Sequence, residues 1–393
     1  MWGPEDRLSE PPQSPPPGGL RSPSQKLRSA IERPAPPEQN DHSGAQATYH
    51  TANEPTSGGF KERNLSEEPS LPLASSFLDW SIEYFREPQM KPSEAEEPGS
   101  TEYNERLWRR SRNDNILRET QPQKQYAGNH KWNNQLCIMN NGAQPAKMTF
   151  HQFEDHLAVA DEGNTVYVWD WKRQTRLNRL SNGNPEGSRI SDMKFINEDD
   201  TGFLMTGSSD GVVRIYRGYD SDRTTELASA WRALTHMVPS NVNSGMVFDW
   251  QQVTGRVLVA GDVRVIRVWA AAYETCVMDI PARSGSCVTS LTSDQMTGNV
   301  FVAGFGDGAV RVFDTRLRPQ DSMVKKWKDD ADRKWVRTVH MQRGGQRELL
   351  SASCNGRVKL WDIRLDHPLR VIQATADTLR TASVHEHLPV FSV

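Results

Sequence analysis

Cysteine is scarce in this sequence, and its charges nearly cancel. The 393 residues include four cysteines, Cys137, Cys276, Cys287 and Cys354, none in a C-x-x-C pair, and the formal net charge at pH 7 is −3. Scarce, unpaired cysteine argues against a disulfide framework and against a zinc site built on paired thiolates. A near-neutral chain has no overall field that would draw it to nucleic acid or to anionic lipid. We therefore expect a reduced protein with neither nucleic-acid nor metal partners.

Long apolar runs and catalytic motifs are missing as well. No apolar stretch approaches the ~18 residues of a membrane span, and Met1–Asp6 lacks the charged and apolar parts of a signal peptide. Neither a G-x-x-x-x-G-K-[ST] phosphate loop nor an H-E-x-x-H motif occurs. Ser188, His236 and Asp249 are scattered polar residues that suggest no nucleophilic triad. The sequence predicts a soluble, cytoplasmic protein that is not an enzyme and needs no cofactor.

Two short segments have a superficial likeness to binding sites. Gly304-Phe305-Gly306-Asp307-Gly308 resembles a phosphate cradle, but it lies between two predicted strands with no helix after it, so a hairpin turn is the better interpretation. His385 and His387 would share one face of a strand, but no third metal ligand is evident, and such pairs are usually plain surface.

Proline is concentrated at the start of the chain. Of the 24 prolines, 13 lie between Pro4 and Pro72. Such a stretch cannot bury enough apolar surface to offset the cost of ordering its backbone, roughly 1–2 kcal/mol per residue. We expect residues 1–75 to form a disordered tail. Ser14 and Ser22, each followed by proline, are candidate phosphorylation sites there.

Residues 76–131 read as a linker with two features. The first is an aromatic strap, Phe77, Trp80, Tyr84 and Phe85, which we expect to dock on a folded surface, either this chain's own propeller, the favoured alternative, or another domain. The second is a helix over 101–119, with Thr101 as its N-cap. Its basic side, Arg106, Arg109, Arg110 and Arg112, is interpreted as a solvated face rather than a localisation or nucleic-acid patch.

From residue 132 onward the sequence repeats one unit. Five short apolar runs end on an aromatic residue in the same frame, and the gaps between these aromatics are 47, 53, 44 and 48 residues. The closing aromatics are Trp169, Tyr216, Trp269, Phe313 and Trp361. A unit of about 40–45 residues with four strands is the signature of a β-propeller blade, and such repeats usually form binding surfaces. We expect each aromatic to be a wedge between neighbouring blades.

A tight turn precedes most of these runs. Small residues, then an Asx-Gly pair, then the apolar run recur along the chain. The predicted hairpin-turn residues are Gly163, Asp210, Gly211, Asp307, Gly308, Asn355 and Gly356. The structural anchors after the runs include Asp170, Asp314 and Asp362, each of which follows its aromatic directly.

The repeat count does not fill a ring. Residues 132–393 contain five third strands and six first strands, the sixth being Leu379–His385. Gln135–Met139 reads as a lone extra strand that could latch the last blade. The predicted fold is all-β: an incomplete propeller of about five and a half blades.

Two runs end in the pair that names the WD repeats, Trp169-Asp170 and Trp361-Asp362, and Phe313-Asp314 is a close relative. More specific stretches resemble the raptor family, scaffold subunits of the target-of-rapamycin kinase complex one, over about residues 77–388. These stretches are Asp79-Trp80, Tyr84-Phe85, Pro88–Lys91, Val168–Trp171, Asn182–Pro185, Gly245–Trp250, Gly261–Arg264, Asp279–Pro281 and Ser286–Leu291. The Gly261–Arg264 stretch replaces the usual Asx-Gly turn, as it does in that family.

The resemblance implies a seven-bladed type of WD propeller and a non-catalytic scaffold in nutrient-responsive growth signalling. It implies the target-of-rapamycin kinase complex and small GTPases as partners, and recruitment to the vacuolar or lysosomal surface through partners. The family's caspase-like domain and helical solenoid, which carry substrate docking and the main kinase and GTPase contacts, have no counterpart in this sequence. A WD substrate receptor of a ubiquitin ligase, or another generic WD scaffold, is the alternative.

Overall fold

The computed structural model describes residues 98–127, 129, 133–235, 237, 244–328, 334–342, 348–388 and 390–393. These begin with helix α1 (Thr101–Thr120), a 3-10 turn (Gln121–Gln123) and the short α2 (Lys124–Ala127). The helix lies where the sequence predicted it, but its N-cap is Ser100 rather than Thr101. The Ser100 Oγ accepts a hydrogen bond of 3.1 Å from the backbone N–H of Tyr103, because that N–H has no partner within the helix.

Five four-stranded antiparallel sheets follow, and each is one blade whose strands are neighbours in chain order. Blade 1 comprises β1 (Pro145–Phe150), β2 (His156–Asp161), β3 (Thr165–Asp170) and β4 (Thr175–Ser181). Blade 2 comprises β5 (Ile190–Ile196), β6 (Phe203–Ser208), β7 (Val212–Arg217) and β8 (Glu226–Arg232). Blade 3 comprises β9 (Met246–Gln251), β10 (Arg256–Gly261), β11 (Val265–Ala270) and β12 (Thr275–Pro281). Blade 4 comprises β13 (Val288–Ser293), β14 (Val300–Phe305), β15 (Val310–Asp314) and β16 (Met323–Trp327). Blade 5 comprises β17 (Val336–Met341), β18 (Glu348–Ser353), β19 (Arg357–Asp362) and β20 (Arg370–Gln373).

The first strand of each blade is the innermost. β1 contacts β5, β5 contacts β9, β9 contacts β13, and β13 contacts β17, so the first strands line a common axis. In blades 1, 2, 4 and 5 the pairing of the first strand shifts by one residue near its start, which marks a β-bulge. Blade 3 pairs without such a shift. The predicted β-propeller is confirmed, with five complete blades among the described residues.

A sixth unit follows as a hairpin of two short strands, β21 (Ser383–Val384) and β22 (Phe391–Ser392). β21 lies within the predicted sixth first strand. The backbone N–H of Ala382, just before it, donates to the hydroxyl of Thr338 on β17 at 3.2 Å. The hairpin therefore takes the next position around the axis after blade 5.

The predicted latch strand Gln135–Met139 is wrong. Residues 133–144 contain no strand, and Leu136 and Ile138 are 82% and 77% exposed. A strand needs a partner for its backbone groups, and within the described residues this segment pairs with none.

The hydrophobic core consists of layers between blades rather than one central mass. Apolar residues of blades 1 and 2, 2 and 3, 3 and 4, and 4 and 5 form four such clusters, and blade 5 shares a fifth with the terminal hairpin. The third strands supply residues to both faces, since Val310, Val312 and Phe313 of β15 are all buried. This explains their nearly continuous apolar sequence, because a strand packed on both faces has no solvent side.

Candidate functional site

Four of the five closing aromatics lie in a layer that faces the preceding blade. Tyr216, Trp269, Phe313 and Trp361 pack in the clusters joining blades 1 and 2, 2 and 3, 3 and 4, and 4 and 5, respectively. Phe313 stacks on Phe301, and Trp361 on Trp327, each at 4.8 Å between ring centroids. Trp169 of blade 1 is only half-buried, and its indole N–H donates instead to Asn141 at 2.7 Å.

The aspartates after the aromatics hold the turn that leads into the fourth strand. The Asp314 carboxylate accepts from the backbone N–H of Arg316 at 3.0 Å and pairs with both sides of its guanidinium. These bonds hold the pKa of Asp314 below its usual range. Asp362 repeats the arrangement with Arg364, and Asp170 accepts from the backbone N–H of Arg173. These aspartates stabilise turns.

The hairpin-turn residues lie between second and third strands. Gly211, Gly308 and Gly356 adopt positive φ. At Gly211 a Cβ atom would lie 2.2 Å from the carbonyl oxygen of Leu234, so glycine is required by space as well as by φ. In blade 1 Gly163 lies in the turn between β2 and β3, as predicted, and the positive φ of 63° falls on the next residue, Asn164. Asparagine tolerates that conformation better than most residues.

Three arginines join consecutive blades, a role that sequence reasoning missed. Each arginine occupies the second position of an apolar run. Its guanidinium donates to a backbone carbonyl that lies one or two residues after the end of the preceding blade's fourth strand. The pairs are Arg214 with Gly183 (3.4 Å), Arg267 with Ala233 (3.4 Å) and Arg311 with Ala282 (2.6 Å). Arg214 and Arg311 are almost completely buried, and burial lowers the pKa of both guanidinium groups. A signal existed in the sequence, since arginine recurs in three of five otherwise apolar runs.

The innermost strands carry a polar network along the axis. The Lys194 ammonium on β5 donates to Asp249 on β9 at 2.7 Å, and the Ser293 hydroxyl on β13 donates to the other oxygen of Asp249 at 2.6 Å. Burial alone would lower the pKa of Lys194, but Asp249, Asp192 and Glu386 outweigh it and raise that pKa. Asp249 is therefore a link between three blades, and it is satisfied by partners rather than poised for catalysis.

Helix α1 is seated on the turns that join first and second strands in blades 1 and 2. Arg106 and Arg109 pair with the two carboxylate oxygens of Asp200, at 2.8 and 3.0 Å, and Arg112 pairs with Glu154 at 2.6 Å. The expectation that the helix's basic side is solvated is wrong for these three arginines, because carboxylates of the propeller neutralise them. Arg110 points away from this contact and is exposed.

The segment His385–His387 also lies against other blades. The side chains of His387 and Gln152 of blade 1 are within hydrogen-bond distance, and Glu386 lies 3.7 Å from His340 on β17. The His385 Nδ1 accepts from the backbone N–H groups of His387 and Leu388, so it shapes the turn. Rather than plain surface, this turn links the terminal hairpin to blades 1 and 5.

Neither a metal-binding cluster nor a membrane-spanning helix is found in the described part of the chain. No group of three or more His, Cys, Asp or Glu side chains there could hold a metal ion. Ser188 bonds to Ser209 at the start of β5, and Gly304–Gly308 forms the β14–β15 hairpin. Among the same residues, no helix has the length and apolarity needed to cross a bilayer. The tail 1–75, Ser14, Ser22, His236 and the strap Phe77, Trp80, Tyr84 and Phe85 lie outside the described residues.

Comparison with known proteins gives a consistent result. The chain is 47% identical over 362 residues to the target of rapamycin complex 1 subunit KOG1 of Saccharomyces cerevisiae, which covers 89% of this chain and 23% of the relative. It is 44% identical over 342 residues to the target of rapamycin complex 1 subunit mip1 of Schizosaccharomyces pombe, covering 87% of this chain and 26% of the relative. The crystal structure of Chaetomium thermophilum raptor superposes with a TM-score of 0.68 at 68% identity, over 82% of this chain and 28% of that one.

Across the matched residues, this chain is a raptor-family sequence. No family model matches it. The chain spans about a quarter of the length of the curated relatives it matches.

The raptor-family sequence departs from a regular WD blade at Gly261–Arg264, and the structure shows how. Blade 3 has no Asx-Gly turn there. The Asp262 carboxylate accepts from the backbone N–H of Gly245 at 3.0 Å, which ties the β10–β11 turn to the start of β9. This raptor-like stretch therefore has a local structural role within its own blade.

Proposed function

We propose that this propeller is a non-catalytic scaffold module of a target of rapamycin complex 1. The observation that carries the proposal is the 47% identity, over 89% of the chain, to a yeast protein named as a subunit of that complex. Because a quarter of such a relative is matched, the proposed role is that of a module within the assembly. The partner is the kinase complex itself.

The geometry supports binding rather than catalysis. Buried polar groups that could do chemistry are engaged in joining blades: Arg311 holds a backbone carbonyl, and Asp249 is shared by Lys194 and Ser293. The surface formed by turns and outer strands remains available to partners. Repeat architectures usually bind proteins through such surfaces.

Affinity capture of the tagged full chain from cells that contain the complex tests this role. We expect the kinase to co-purify, and we expect a tagged WD propeller of another family to capture none. Capture should be lost when blade packing is broken by Trp361→Ala and retained with the exposed substitution Arg318→Gln. A folded chain that recovers no kinase, beside a longer relative that does, would refute the proposal.

The family resemblance further suggests small GTPases among the partners, a cytoplasmic location, and recruitment to the vacuolar or lysosomal surface through those partners. Binding of the purified chain to GTPases loaded with GDP or a GTP analogue tests the first suggestion. Fractionation of tagged chain with and without the kinase tests the others, since recruitment through partners requires their presence.

A further inference from the structure

The turns between the first and second strands of blades 1 and 2 form an acidic surface, and helix α1 lies on it. In α1, Arg106, Arg109 and Arg112 recur every third residue, so the helical period brings them to one side. Arg106 and Arg109 form ion pairs with the two carboxylate oxygens of Asp200. Arg112 forms an ion pair with Glu154. The paired side chains are partly shielded, with 21–36% of each exposed.

Among the described residues, no side chain of α1 belongs to an apolar cluster of the propeller, although Ile116 and Leu117 are partly buried. Leu107 and Trp108 remain 46% and 62% exposed, and Trp108 is covered on one side by the helix's own Arg112, whose guanidinium carbon lies 5.1 Å from the ring centroid. Ion pairs between partly exposed groups are weakened by salt and exchange more readily than a packed apolar interface. The three arginine pairs are therefore the part of this contact that salt should weaken.

The acceptor surface is built without the helix. Asn197 takes a positive φ of 55° and its side-chain amide donates to Thr201 at 2.7 Å, which shapes the turn that carries Asp200. Gln252 of blade 3 donates to Asn197 at 2.8 Å from outside that turn. The carboxylate of Glu198 accepts from the backbone N–H of Gln152 at 2.8 Å and so fixes the turns of blades 1 and 2 together. None of these bonds involves α1.

We propose that this surface, defined by Asp200 and Glu154, is a docking site for arginine-bearing helices, and that α1 occupies it within the chain. A partner helix with arginines at i, i+3 and i+6 displaces α1 and forms ion pairs with the same carboxylates. A tethered helix competes through its high effective concentration, so the partner binds weakly while α1 is seated and more tightly once it is released.

A labelled synthetic peptide of residues 98–121 is the probe. Fluorescence anisotropy would follow its binding to the full chain and to the full chain with Arg106→Glu and Arg109→Glu, in which repulsion by Asp200 releases α1. We expect the double variant to bind the peptide at least about tenfold more tightly than the unaltered chain, with affinity falling as salt rises. Adding Asp200→Asn should remove most of that binding, as should replacing the three peptide arginines with glutamine.

A matched control reverses two arginines on the exposed side of the same helix, Arg110→Glu with Arg118→Glu. It makes the same change in net charge but should leave peptide binding as weak as in the unaltered chain. No binding by the folded Arg106→Glu, Arg109→Glu variant, or binding that Asp200→Asn leaves unchanged, would overturn the proposal.

Hydrogen exchange on the unaltered chain keeps the idea testable if the variants fold poorly. An exchangeable α1 should lose amide protection before the strands of blade 2, and more readily at higher salt. Protection of α1 that is lost only together with the blades, at any salt concentration, would instead show a permanent structural strap and contradict the proposal.

Discussion

The guanidinium of Arg311 donates a 2.6 Å hydrogen bond to the carbonyl oxygen of Ala282, the residue at which the chain leaves the fourth strand of blade 3. Its guanidinium carbon also lies 4.0 Å from the centroid of the Phe305 ring. Blade 4 therefore holds the chain segment that enters it, through a side chain that is almost completely buried. Such a junction fixes blade order by hydrogen bonding as well as by apolar packing.

Replacing Arg311 with Met should destabilise the propeller. The Ala282 carbonyl would lose its donor while staying buried, which costs about 1–3 kcal/mol, and the stack on Phe305 would be weakened. Arg311→Lys should give a smaller loss, because it keeps the charge without the guanidinium fork. Urea melts would measure the free energy of unfolding of both variants. The control is Arg318→Met, at an exposed position, which should be about as stable as the unaltered chain. Equal stability of Arg311→Met and Arg318→Met would show that the junction bond contributes nothing.

Much of this architecture was predictable because each blade repeats a local pattern. The apolar runs with closing aromatics predicted the third strands, and Asx-Gly pairs predicted the turns at Gly211, Gly308 and Gly356. In both cases the cause is local: a strand buried on both faces needs an apolar run, and a tight hairpin needs positive φ. The hairpin interpretation of Gly304–Gly308 followed from the same logic.

What escaped prediction depends on contacts between distant residues. Asp200 and Arg106 are far apart in the sequence, and nothing local tells a seated arginine from a solvated one. Likewise Gln135–Met139 has a strand-like composition, but a strand forms only where a partner edge is available. The role of Asp249 depends on Lys194 and Ser293, which come from two other blades.

The closing aromatics should differ in their contribution to stability according to their blade. Trp361 is 6% exposed and stacks on Trp327, so Trp361→Ala removes a filled inter-blade position and should cost about 3–5 kcal/mol. Trp169→Ala, at the matching position of blade 1, should cost distinctly less, because Trp169 lies in no inter-blade layer and is half-buried. Thermal and urea melts of the two variants provide the comparison. A larger loss for Trp169→Ala would contradict the wedge assignment.

Two glycines with positive φ separate conformational strain from steric clash. Gly211 has φ 86° and a Cβ there would meet the Leu234 carbonyl oxygen, whereas Gly255 has φ 60° and open space around it. Gly255→Ala should cost about 1–2 kcal/mol, the price of the left-handed conformation alone. Gly211→Ala should lower the free energy of unfolding by more, because the backbone at Leu234, just after the last strand of blade 2, must also move. If urea melts gave equal losses, the close approach to Leu234 would not matter.

Acid should weaken the junction of blades 1 and 2 through His151. This side chain is 7% exposed, its Nδ1 accepts from the backbone N–H groups of Phe153 and Glu154, and its ring packs edge-on against Phe195 at 5.1 Å. Burial, helped by the charges of His156 and Arg112, lowers the pKa of His151 from 6.5 to about 3. The folded protein therefore holds this imidazole neutral over a range in which the unfolded chain would protonate it.

Because the unfolded state binds the extra proton, the contribution of His151 is fully present above pH 6.5 and is lost progressively as the pH falls toward 3. The loss amounts to about 1.4 kcal/mol per pH unit within that window, or about 2 kcal/mol between pH 7 and pH 5. His151→Asn keeps an acceptor for the two backbone N–H groups but cannot titrate, so urea melts at pH 7, 6 and 5 should show a flatter decline for this variant. The control is His367→Asn, at an exposed position, whose free energy of unfolding should fall with pH as steeply as that of the unaltered chain. Parallel pH profiles for His151→Asn and the unaltered chain would assign the acid sensitivity to other groups.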